Sequence, residues 1–115
     1  MFPSHDPGGE PTIPKNQRAI NAFLEWFYQK HVALGDKIRV YNEIETNGTI
    51  YISRELFPKL NQINCSVKLA NSGMSSKKRI VPKALNRIMQ HPNYWFKFVI
   101  STEEYDRDWE TINLI

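Results

Sequence analysis

The sequence predicts an α+β domain with helices packed on a small antiparallel sheet. Three observations predict it. Residues 15–34 place apolar side chains at helical spacing, residues 37–53 alternate around an Asn-Gly turn, and Tyr94–Ile100 is a run of aromatic and β-branched residues. A chain of 115 residues, 41% of them hydrophobic, suffices for one core and one domain.

The elements follow in order. Residues 1–14 hold four prolines and two glycines and read as a flexible leader. Met1–Thr12 lacks the basic-then-apolar pattern of a signal peptide. From Lys15 onward, Ile20, Phe23, Leu24, Phe27, His31 and Leu34 form one helical face, and Gly35 is the stop. Trp26 and Tyr28 fall off that stripe and read as a second packing surface. Lys37–Ser53 reads as a β-hairpin, with Asn47-Gly48 supplying the positive φ that its turn needs. Ser53 is placed to cap a short helix with Glu55 near its positive end and Leu56, Phe57 and Leu60 facing inward. Ile63–Leu69 reads as a short strand and Asn71-Ser72-Gly73 as a loop. Ser75 or Ser76 opens a second helix through Gln90, regular only from about Arg79 because of Pro82. His91-Pro92 closes it. Tyr94–Ile100 is the last strand of the expected domain, 15–101. Residues 102–115 form an acidic C-terminal segment with a short helix.

Charge is unevenly distributed. The formal net charge is +3. Residues 56–101 nevertheless carry eight basic side chains and no Asp or Glu, whereas residues 102–115 carry a net −4. A 46-residue stretch without a carboxylate makes a one-signed surface that attracts polyanions. A solvated basic face without a partner is the plain alternative. The acidic segment is expected to fold back near the basic helix and compete for it.

The helix over 79–90 concentrates that charge. Val81, Ala84, Leu85 and Ile88 form an apolar stripe, while Arg79, Lys83, Asn86, Arg87 and Gln90 are expected on the solvent side. Ser76, Lys77 and Lys78 lead into it. Arg and Asn pair bidentately with guanine and adenine edges, and Lys neutralises phosphates. Ile52–Leu60, Ser75–Ile88 and the strand Tyr94–Ile100 together resemble the winged-helix form of helix-turn-helix DNA-binding domains, and also the DNA-binding ends of phage and plasmid replication proteins. The resemblance implies Arg79, Lys83, Asn86 and Arg87 at the major groove, with Lys97 and its strand forming the wing. Trp95, beside Lys97, is a candidate for ligand contact, while Tyr94, Phe96 and Phe98 share the opposite strand face and read as core.

No catalytic constellation is evident. Glu43, Glu45, Asp36 and Lys37 lack the spacing of a metal-dependent nuclease, and there is no phosphate loop, HExxH motif or nucleophile elbow. His5, His31 and His91 are scattered, and Cys65 stands alone. No metal or cofactor is implied, and a reducing, cytoplasmic location is expected. No run reaches the roughly 18 apolar residues of a spanning helix. The function expected is therefore non-enzymatic DNA binding, DNA rather than RNA, as a regulator or replication accessory. The rival is a protein-binding module or inhibitor, of phage or mobile-element type.

Overall fold

A computed structural model describes residues 9–35, 40–69, 76–100 and 105–115. The elements are α1 Pro14–Ala33, β1 Glu43–Thr46, a 3-10 turn Phe57–Lys59, β2 Gln62–Ser66, α2 Ser76–Arg79, α3 Pro82–Met89, β3 Tyr94–Lys97 and α4 Tyr105–Leu114. Helices and a small sheet are both present, as expected. The sheet itself corrects the expectation. It has the order β1-β2-β3, and both pairings are parallel rather than antiparallel. A strand pair can be parallel only when its connection is long enough to return the chain to the same end. Both connections are long: residues 47–61 join β1 to β2, and residues 67–93 join β2 to β3.

The expected hairpin at Asn47-Gly48 is absent, although the turn is real. Gly48 has φ 74°, and the Asn47 side-chain oxygen accepts from the Thr49 N–H at 3.1 Å. The chain after it enters the first crossover instead of pairing with β1. Space as well as φ demands glycine here. A Cβ on Gly48 would lie 2.6 Å from Cys65 Sγ and 2.9 Å from Leu85 Cδ2. The crossover is then pinned by Gln17. Its amide donates to the carbonyls of Thr12 (2.6 Å) and Tyr51 (2.9 Å) and accepts from the Ser53 N–H (2.7 Å). Ser53 caps the next turn as expected, its hydroxyl accepting from the Leu56 N–H at 3.1 Å.

The first helix starts with proline at its preferred position and ends on Gly35, with φ 71°. Its packing is uneven along its length. Leu24 and Gln17 are buried and Ile20 lies against the core, but Phe23 and Leu34, expected to face inward, are exposed. Glu10 and Thr12, within the stretch read as leader, are built into the fold. The Glu10 carboxylate accepts from Thr46 Oγ1 (2.8 Å) and from the Asn47 (2.6 Å) and Thr12 (2.9 Å) N–H groups, and also binds Thr12 Oγ1.

One face of the sheet is covered. Ile44, Ile63, Cys65 and Phe96 join Ile52, Leu56, Leu60, Leu85 and Ile88 in a single core. Both crossovers therefore lie on the same side, as expected when successive crossovers of one hand build a sheet in the order 1-2-3. The other face carries Glu43 and Glu45, Gln62, Asn64 and Ser66, and Trp95 and Lys97. Parallel sheets are ordinarily buried on both faces. Here the alternation of apolar and polar residues in each strand leaves one face polar and open.

Asparagines fasten the N-terminal ends of the three strands. Asn61 accepts from the Asn42 N–H at 2.7 Å, Asn42 donates to the Lys59 carbonyl at 2.9 Å, and Asn93 donates to the Asn61 carbonyl at 3.0 Å. Buried His91 completes this end. Its Nε2 donates to the Leu60 carbonyl at 2.7 Å while Nδ1 accepts from the Asn93 N–H at 3.0 Å. At the far end of the chain, Ile115 packs against the core. No helix among the described residues is long and apolar enough to cross a membrane.

Candidate nucleic-acid interface

The basic residues singled out from the sequence divide into four groups. Lys77 and Lys78 on α2, and Lys83 and Asn86 on α3, are exposed. Ser76 begins α2, and its side chain lies outside the described part of the structure. Arg79 and Arg87 turn inward. Trp95 and Lys97 lie on the open face of β3, whereas α3 packs through Ala84, Leu85 and Ile88 on the covered side. The wing that was to join the basic helix is thus neither an antiparallel hairpin nor on the same side of the sheet.

The inward turn of the arginines corrects the expected solvent face. Arg79 has only 9% of its surface exposed. Arg87 is half-buried, and its Nε donates to the Ile52 carbonyl at 3.2 Å. Its guanidinium carbon stands 3.9 Å from the Phe57 ring centre and 4.9 Å from that of Tyr51. Lys83, one helical turn earlier, has its ammonium 5.3 Å from the Tyr51 centre. The physical reason is position. Arg87 is three residues after Ala84 and one before Ile88, at the margin of the apolar stripe. A guanidinium there reaches the aromatic residues of the first crossover and stacks on them.

The sequence predicts an inward Phe57 but does not link Phe57 or Tyr51 to Arg87. They lie some thirty residues from α3, and helical or strand periodicity links no residue across that gap. An arginine at the edge of an apolar stripe was the available signal, since such a side chain needs a partner from another element.

Cys65 is fully buried, and burial together with the nearby Glu10 charge pushes its thiol up from near 9 to about 12. It is protonated at neutral pH. Among the described residues no group of three His, Cys, Asp or Glu could hold a metal ion. Near the turn Phe57–Lys59 an ion pair joins Lys59 to Glu25 at 2.8 Å. No protein-family model, curated protein or solved structure matches the chain.

Proposed function

We propose that this protein binds nucleic acid, DNA in preference to RNA, by laying the exposed side of α2 and α3 against the phosphate backbone. Lys77, Lys78 and Lys83 supply the cations, and Asn86 a neutral donor and acceptor among them. One observation carries the reading: these three lysines are exposed within a stretch, 56–101, that holds no carboxylate. Phosphate neutralisation and counterion release then supply the affinity. With Arg79 and Arg87 turned inward, Asn86 is left as the base-reading side chain of the row, so binding depends weakly on sequence. Such binding suits a regulator or a replication accessory.

A salt series on a short duplex tests the proposal. Three phosphate contacts give a log–log slope near −3, at roughly −0.9 per contact. No binding at low salt, or binding indifferent to salt, contradicts it. A second reading, a protein-docking module, is favoured by α1. Phe23, Trp26, Val32 and Leu34 on that helix are all more than half exposed, an apolar surface of the kind that partners cover. The same salt series separates the two, since a docking helix confers no affinity for bare DNA.

A further inference from the structure

A half-buried guanidinium normally faces a carboxylate. Arg87 has none among the described residues. Two rings and one backbone carbonyl hold it instead, and they engage its faces and its Nε. Its two Nη groups have no partner among the described residues and form a planar fork fixed in place before any ligand arrives. Lys83 brings a second cation to Tyr51, the ring that Arg87 also meets.

We propose that Arg87, Lys83 and Tyr51 form a receptor for a terminal phosphomonoester, the 5′-phosphate end of a nucleic-acid strand. This rests on the nucleic-acid reading above. A held guanidinium with an exposed ammonium beside the same ring matches a phosphomonoester, which carries about −1.5 to −2 charge at neutral pH and three acceptor oxygens. The Arg87 fork takes two of those oxygens bidentately. The Lys83 ammonium and the Tyr51 hydroxyl are the donors for the third. A diester within a strand carries a single charge and is flanked by sugars on both sides, which fits poorly against a guanidinium set back between α3 and the first crossover. A strand end is favoured over a phosphopeptide because Lys77, Lys78 and Asn86 extend the cationic surface away from the fork, along which further phosphates can run.

The test uses the full chain and one short DNA duplex in two forms, 5′-phosphorylated and 5′-hydroxyl, labelled at the 3′ end and compared at the same low salt. The phosphorylated form is expected to bind about tenfold tighter or more, the order that one added bidentate charged pair supplies. Arg87→Lys keeps the charge but loses the fork, and is expected to bring that ratio toward one. Lys83→Gln, at an exposed position, is expected to reduce the ratio without affecting folding. Lys77→Ala is expected to weaken both forms by the same factor and leave the ratio intact. Equal binding of the two forms by the unaltered protein overturns the receptor while sparing the nucleic-acid reading. Binding of neither form overturns both. A phosphoserine peptide that binds more tightly than the phosphorylated duplex overturns the assignment to a strand end.

Discussion

The two sides of this sheet are both polar at their surfaces, yet they differ in how their polar groups are satisfied. On the open face the side chains bind one another. The Tyr41 hydroxyl donates to Gln62 Oε1 at 2.6 Å, Gln62 Nε2 donates to Asn64 Oδ1 at 2.7 Å, and Asn64 in turn donates to Glu43. Asn93 joins through the Tyr41 hydroxyl at 3.1 Å. Acids and a lysine share the surface, so its charge is mixed. On the helical side no carboxylate among the described residues pairs with Lys77, Lys78 or Lys83, and Arg87 is oriented by aromatic rings rather than by an acid. A lysine count treats Lys97 and Lys83 alike. The fold puts one beside Glu43 and Glu45 and the other among basic side chains, the surface proposed above for polyanion binding.

That contrast can be broken from inside. Leu85 anchors α3 to the covered face, so Leu85→Ala is expected to cost about 2–5 kcal/mol of stability. Urea unfolding measures it. Lys83→Ala on the exposed side of the same helix is expected to stay within about 0.5 kcal/mol of the parent protein. Similar losses for the two variants would mean that the faces of α3 are wrongly assigned.

The contrast can also be sharpened with pH. Cys65 lies between the sheet and Gly48, and its thiol stays neutral to about pH 12 in the folded protein. In the unfolded chain it ionises from near pH 9. Stability from this group is therefore complete below pH 9 and declines as pH rises from 9 toward 12, by at most about 1.4 kcal/mol per unit. Cys65→Ala should flatten the stability profile over that interval relative to the parent protein. Parallel profiles for the two proteins would show that the thiol is not held neutral by the fold.

A smaller effect belongs to the open face. Gln62→Ala removes the centre of its hydrogen-bond network and is expected to cost about 1 kcal/mol, the net worth of such bonds at a partly solvated site. Affinity for nucleic acid should be unchanged. A loss of affinity would place the interface on the open face.

Much of the local structure was legible in the sequence. The α1 helix, the Gly35 stop, the Ser53 cap, the turn at Gly48 and the strands around Ile63 and Phe96 all follow from periodicity and capping chemistry. Strand direction was not. Alternation in Glu43–Thr46, Gln62–Ser66 and Tyr94–Lys97 reports burial on one face, a pattern typical of antiparallel sheets that this parallel sheet also adopts. Direction depends on where the crossovers return the chain, which no single strand records. The site was half legible for a related reason. Lys77, Lys78, Lys83 and Asn86 are exposed as their charge and spacing suggest. Arg87 was misplaced because a guanidinium is long enough to leave the solvent side and join Phe57 and Tyr51. Gln17 was passed over because a buried amide looks in sequence like any surface polar residue.

The central claim is that affinity for nucleic acid belongs to the helical side alone, and two lysines test it most directly. The measurement is the salt dependence of binding to one duplex by Lys83→Ala and Lys97→Ala, each against the parent protein. The account predicts that Lys83→Ala weakens binding and makes the log–log slope shallower by about one, while Lys97→Ala changes neither. Equal losses for the two variants, or a larger loss for Lys97→Ala, would contradict it.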